Sequence, residues 1–382
     1  MLWNRNSWRD WYNPLRGLSV ARLVALEDAA ERGQPADLQW LYHHMERADV
    51  TVQAALARRL SFTDSLDWEI RPVEAADPAL AADQAALLRH AYDRVANLRE
   101  ATRFLAAGIF RGFAHLEKLT SARDGLVYRL EPVEQWYWMR PGRSGPWRLN
   151  PESRSHEARG EPVERERLCV FEAPAVNRAI SRHFFAKTLA FADWDLALET
   201  SANQSIFIVG PPGTSPEKEQ EYREVAEKIA SNGRGYLPNG TDVKLVDTQT
   251  RARLPYFERI KYCDEQIVLA ATGGLLTMLT QSGSGTLAGG AHSEGLLALA
   301  RSDAARLSEV FQRDLDRPLL REFFPGQPTA AYFEFDVPQQ ENPSALIESV
   351  GNLSWAGYTV DQKQLEEKTG LKLIPLPKEQ PA

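Results

Sequence analysis

The chain has 382 residues, 43% hydrophobic and 25% charged, with 24 Gly and 23 Pro; this is ordinary globular composition, long enough for two or three units with their own cores. Its 45 Lys+Arg stand against 52 Asp+Glu, a formal net charge of -7, which excludes a protein that coats nucleic acid by neutralising phosphates, so any DNA partner passes by rather than binds tightly. Two cysteines, Cys169 and Cys263, exclude a disulfide framework and a cysteine-rich zinc module and fit a reducing compartment; no apolar run reaches the ~18 residues of a spanning helix, and MLWNRNSWRDWYNP lacks the apolar core of a signal peptide.

Residues 1–17 read as an arm in which Trp3, Trp8, Trp11 and Tyr12 alternate with Arg5, Arg9 and Arg16. So many rings call for cover, either by the protein's own core or by a neighbouring subunit. Ser19 caps a helix to Glu31, which Gly33 stops. A second helix runs from Ala36 to Arg47, with Leu38, Leu41 and Met45 on one stripe. A third runs from Asp49 to Leu60, with Val52, Leu56 and Leu60 at helical spacing. Leu66–Pro72 alternates and reads as a strand. An alanine-rich helix covers Pro78–Asn97 and another Leu98–Gly108.

Residues 126–172 change character. Leu126–Leu130 and Gln135–Arg140 are strand-like, Pro141–Gly145 is turn chemistry, and Trp147–Leu149 returns antiparallel. Residues 150–167 form a polar loop, and Leu168–Phe171 closes a small β-meander. Pro174–Thr200 is a long helix whose apolar residues nearly encircle it. A compact β-α-β-β unit follows: strand Ser205–Val209, a helix capped by Thr214 or Ser215 and running to Ser231, and strands Gly235–Leu237 and Val243–Val246. A second long helix spans Pro255–Ala271. Residues 272–292 are glycine-rich and read as a flexible loop. A third long helix runs from Ser293 to Phe323, bent or restarted at Pro318. Ala331–Val337 alternates as a strand, and short helices at Pro343–Ala356 and Asp361–Thr369 precede the Gly370–Pro375 segment.

Enzyme chemistry finds little support. The seven His (43, 44, 90, 115, 156, 183, 292) show no HExxH and no metal-ligand spacing, so no metal and no cofactor are expected. No GxSxG elbow occurs. Cys169 and Cys263 read as buried small apolar residues rather than nucleophiles. Ser205–Thr214 imitates the strand and loop of an ATPase, but Ser215-Pro216-Glu217 stands where the phosphate-binding lysine is required. A nucleotide-binding enzyme acting at 210–214 is therefore the weaker alternative.

The order of parts carries more information. Two long helices flank a compact unit, making a stalk with a tip, and a glycine-rich loop follows. A helix that is apolar on most sides needs neighbours on several sides, and a ring of identical subunits supplies them. Excess acid keeps a passing polyanion from sticking.

Several local patterns then resemble the portal proteins of tailed bacteriophages, the Mu-like family above all. They are Arg58-Arg59 leading into Asp67–Pro72, Phe184–Trp194, and Cys263–Ile267 running into Leu275–Gly285 and Ala291–Glu294. The resemblance covers residues 15–375. It implies an α+β portal fold assembled as a dodecameric ring at one capsid vertex. It divides the chain into an arm (1–17), a wing (18–173 and 293–340), stem helices (174–200 and 253–271), a clip (201–252), a tunnel loop (272–292) and a reduced crown with tail (341–382).

By this resemblance the chain is not an enzyme, and ATP hydrolysis belongs to the terminase. The implied partners are further copies of the chain, double-stranded DNA without sequence specificity, the terminase large subunit, the major capsid protein and neck or adaptor proteins, with no membrane. The implied location is the virion, and the host cytoplasm during assembly. Gln281, Ser282, Gly283, Ser284, Gly285 and Thr286 are the expected DNA-channel residues. Glu217, Glu221, Glu224 and Glu227 are the expected docking surface of the clip. Another head-tail connector or neck structural protein is the nearest alternative.

Overall fold

Ser19 opens the first helix: its hydroxyl accepts the Arg22 N–H, and the chain winds into α1 (Val20–Glu31). The computed structural model describes residues 12–153, 159–202, 206–209, 213–230, 242–245, 255–275, 286–336, 343–355, 357, 359–363 and 365. α2 (Ala36–Ala48) and α3 (Val50–Leu60) follow, and Asp49 caps α3 by accepting the Thr51 and Val52 N–H groups. Leu38, Leu41, Met45, Val52 and Leu60 are buried, as their stripe predicts. After β1 (Asp67–Pro72) come α4 (Pro78–Asp93) and α5 (Leu98–Arg111). α4 stops short of Asn97, whose amide instead grips both backbone groups of Leu130, at 2.8 and 3.0 Å. α5 passes Gly108 and ends at Gly112, which takes φ 94.

The sheets differ from the expected meander. β2 (Phe113–Thr120), unread in the sequence, is the centre of an antiparallel sheet ordered β3-β2-β7, with β3 (Val127–Val133) and β7 (Leu168–Glu172). The first five residues of β2 are all buried, so the strand shows no alternation to read. Leu168–Phe171 therefore pairs with β2, not with the 147–149 strand. A separate small sheet joins β4 (Trp138–Met139), β5 (Arg148–Leu149) and β6 (Glu161–Pro162). This puts a short strand inside the expected polar loop.

α6 (Val176–Ala202) leads into β8 (Ile206–Val209), α7 (Pro216–Ala230) and β9 (Asp242–Leu245), with β8 and β9 antiparallel. The strand expected at Gly235–Leu237 lies outside the described residues. α8 (Tyr256–Thr272) returns and is closed by Gly273 at φ 71. α9 (Thr286–Phe311) begins at Thr286 rather than Ser293. The expectation of loop through residue 292 is thus corrected: Gly289 and Gly290 are helical, although each glycine costs a helix interior about 1 kcal/mol. A π-helical turn (Gln312–Asp316) then leads into α10 (Arg317–Phe323), with Pro318 in its first turn. The restart at proline is where the sequence places it. β10 (Ala331–Asp336) pairs antiparallel with β1, and α11 (Pro343–Trp355) follows.

The main core gathers Leu41, Met45, Phe110, Phe171, Phe311 and Phe333 from helices and strands far apart in sequence. Tyr92 stacks on Phe333 with ring centroids 4.3 Å apart. A second aromatic cluster joins Trp40, Phe113, Trp136 and Trp138. Within the π turn, Asp314 accepts the Val170 N–H of β7 at 2.9 Å and Asp316 accepts the Phe333 N–H of β10 at 2.7 Å. No helix among the described residues is long and apolar enough to cross a membrane.

Candidate functional site: the paired long helices and their anchorage

α6 has 27 residues, about 40 Å at 1.5 Å per residue, and α8 has 17. They run antiparallel, because the β8-α7-β9 unit joins their far ends. Trp194 stacks on Tyr256 at 6.3 Å between centroids, and Lys187 meets Asp264 further along. Ile260, Cys263, Ile267, Val268 and Ala271 bury one side of α8, and Ile180, Ala190 and Ala197 one side of α6. Cys169 and Cys263 are both buried free thiols. Burial pushes Cys169 up to about 12, which keeps it protonated and unreactive.

Three buried cations fasten these helices to the rest of the protein. Lys187 on α6 is set 2.6 Å from Asp264 Oδ1 on α8 and 2.8 Å from Asp49 Oδ2 at the cap of α3. It also donates to Thr51 Oγ1 at 3.3 Å. Burial alone would lower the Lys187 pKa, but the hydrogen bonds to Asp264 and Asp49 outweigh it and the net shift is upward. Arg59 on α3 forms a two-pronged pair with Asp303 of α9, at 3.0 and 3.2 Å. Its remaining arm donates to the Ala271 carbonyl at 2.9 Å, in the last turn of α8, where a cation is favoured by the helix dipole.

The third cation is Arg111, the last residue of α5. It holds both oxygens of Glu46, at 3.1 and 2.6 Å, and donates to Gln135 Oε1 at 3.0 Å. Glu46 in turn accepts from Asn177 Nδ2, in the first turn of α6, at 2.7 Å. Outside this buried set, Arg182 reaches Glu27 at 2.8 Å and Arg178 pairs with Glu31, tying α6 to α1. The start of α6 and the end of α8 are therefore tied by ion pairs and hydrogen bonds to α1, α2 and α3, while Arg111 of α5 and Asp303 of α9 complete the charge clusters around Glu46 and Arg59.

The expected channel residues Gln281, Ser282, Gly283, Ser284 and Gly285 lie outside the described residues, and Thr286 is the first residue of α9. Glu217, Glu221 and Glu224 are exposed on α7, one to two turns apart, and Glu227 lies further along the same helix. Residues 210–212 of the ATPase-like loop lie outside the described residues, and Pro216 opens α7 directly after it. Sequence reasoning assigned no role to Lys187, Arg59 or Asp264, although all three stand in the patterns that carry the family resemblance. For Lys187 the signal was a lone charge inside the apolar run Phe184–Ala192; Arg59 and Asp264 each stand beside a second like charge, Arg58 and Glu265, which hid them.

Residues 39–371 match the family model described as the portal protein of Mu bacteriophage. The chain belongs to this portal protein family. This phage portal protein is 23% identical over 376 residues to the Mu-like prophage FluMu protein gp29 of Haemophilus influenzae, covering 93% of this chain and 71% of the relative. Its fold is similar to a chain of the virion of a native gene transfer agent (GTA) particle, with a TM-score of 0.54 and 13% identity over 93% of this chain and 94% of the other. It is also similar to a chain of the neck of a native GTA particle computed with C12 symmetry, with a TM-score of 0.55 and 14% identity over 93% and 99%. The resemblance carried by the sequence patterns is borne out.

Proposed function

We propose that copies of this portal protein close into a ring at one vertex of a phage capsid and form the channel through which double-stranded DNA is packaged and ejected. The observation that carries the ring is the distribution of exposed apolar residues on α6. Leu189 and Leu196 recur at a seven-residue interval, and so do Phe191 and Leu198; all four are exposed, Leu196 at 58% and Leu198 at 51%. At about 100° per residue the two pairs stand some 200° apart, flanking the stripe of Ala190 and Ala197 that faces inward. A head-to-tail ring needs two different sticky flanks on each subunit, and this helix has them. On α8, Phe257, Tyr262 and Leu269 are also exposed.

In this reading α6 and α8 form the stem, and the β8-α7-β9 unit is the clip. The wing comprises 18–173 and 293–340, and α11 begins the crown. The similar GTA neck computed with C12 symmetry supports twelve copies. The segment Gln281–Thr286 faces the channel and meets DNA through polar, sequence-independent contacts. The acidic row Glu217, Glu221, Glu224 and Glu227 lies at the outer end, docking the terminase before packaging and neck proteins afterwards. The role is structural rather than catalytic.

Light scattering and electron microscopy of the purified protein test this. The wild type should give rings, and Leu196→Asp should give folded monomers with unchanged circular dichroism. Deleting residues 281–285 should leave rings intact while particles lose DNA. A wild type that stays monomeric under every assembly condition, with no ring in virions, overturns the reading.

A further inference from the structure

The two-stranded ribbon β1-β10 is closed on one side only. On the β10 side, helix side chains take the place of a third strand. Asp316 accepts the Phe333 N–H at 2.7 Å, Gln312 donates to the Phe333 carbonyl at 2.8 Å, and Ser308 accepts the Phe335 N–H at 2.9 Å. These bonds fix the direction of every backbone group in the ribbon. Phe333 and Phe335 point away from β1, so their partners across the register, Ile70 and Trp68, point away from β10. The Val73 N–H bond to Ala330 O at 2.8 Å confirms the alternation.

The outer edge of β1 therefore presents the N–H and C=O groups of Trp68 and Ile70 with no partner among the described residues. A row of this kind is a template for another strand. Its side chains say what would fit. Trp68 and Ile70 lie on the face packed by α4, with the Arg89 guanidinium 4.5 Å over the Trp68 ring. The opposite face carries Asp67, Glu69, Glu334 and Asp336 against the single cation Arg71, and Asp67 and Glu69 are exposed. An added strand should bring apolar residues to the first face and a base to the second.

We propose that the C-terminal segment Leu371–Ile374 of this chain adds to β1 as the third strand. Leu371 and Leu373 alternate with Lys372, so two leucines would extend the Trp68–Ile70 face while the ammonium meets the acidic one. Gly370 and Pro375 bound the segment, giving it the short length that the edge offers before Pro72 ends it. The chain beyond α11 is long enough: with one helical turn at 361–365 and the rest extended, the residues between Trp355 and Leu371 reach up to about 40 Å. The chain also leaves β10 at Asp336, directly opposite Asp67 at the start of this edge.

Residue-resolved hydrogen exchange on the full chain tests the proposal. The Trp68 and Ile70 amides should be as protected as those of Glu69 and Arg71, which are bonded to β10. In a chain ending at Thr369, Trp68 and Ile70 should exchange roughly tenfold faster or more, with Glu69 and Arg71 unchanged. Leu373→Pro in the full-length chain should do the same, and serves if the shortened chain does not fold. A synthetic peptide of sequence GLKLIP should restore protection to the shortened chain. Free exchange of Trp68 and Ile70 in the full chain overturns the proposal. So does protection that survives both changes, which would mean that something else occupies the edge.

Discussion

Lys187 and Asp264 meet at 2.6 Å across the two long helices, and the same ammonium lies 2.8 Å from Asp49, which caps a third helix. One cation thus holds two carboxylates that would otherwise repel each other in a largely buried position. Removing it leaves both acids uncompensated. Lys187→Met should lower unfolding free energy by about 3 kcal/mol, measured by urea denaturation of the full chain. Adding Asp264→Asn to that variant should recover part of the loss, because one stranded charge is then gone. A double variant no more stable than Lys187→Met contradicts the triad.

Arg59 is the residue for which size and charge alone do not suffice. Its planar fork satisfies Asp303 twice and the Ala271 carbonyl once. A lysine offers one point charge and cannot reach all three. Arg59→Lys should therefore cost about 2 kcal/mol, the scale of lost hydrogen bonds to a charged group, and should loosen the last turn of α8. Faster amide exchange around Ala271 and Thr272, relative to the start of α8, is the expected signature.

The acid limb of stability should depend on His43. Burial, helped by the Arg111 charge, holds its pKa down at about 4. Below the unfolded value near 6.5 the unfolded chain takes up a proton that the folded chain refuses until about pH 4. The stability His43 contributes at neutral pH is thus lost as pH falls through that window. Asp316 works in the opposite sense. Burial raises it from 3.8 to about 6, so the folded chain keeps a proton that the unfolded chain releases, and stability declines as pH rises between those values. His43→Gln should be less stable than wild type near pH 7, and the gap should narrow towards about pH 4.5. Denaturation midpoints across that range check this; a constant gap refutes it.

Much of the helical scaffold was legible because its signals are local. Ser19 and Gly33 mark the two ends of α1 by cap and turn, and the stripe Leu38–Leu41–Met45 marks a face. The alternation of Asp67–Pro72 and Ala331–Asp336 gave both strands of the ribbon, though not their partnership, which joins residues far apart in the chain. β2 stayed hidden because His115 and Glu117 are as buried as the apolar residues around them, so neither period nor polarity showed a strand. The early start of α9 was masked by Gly289 and Gly290. The anchoring triad was legible as residues but not as a site. Asp49 stood only as the start of a helix and Lys187 only inside the Phe184–Trp194 pattern, and packing alone brings them together.

The π turn joins parts that share no backbone hydrogen bonds. Asp314 and Asp316, two residues apart, point to opposite flanks, one gripping β7 and the other β10. The two sheets are thereby riveted to a single point on one long helix. Any pull or tilt applied along that helix must drag both sheets in step, so this part of the molecule responds to load as one rigid lever.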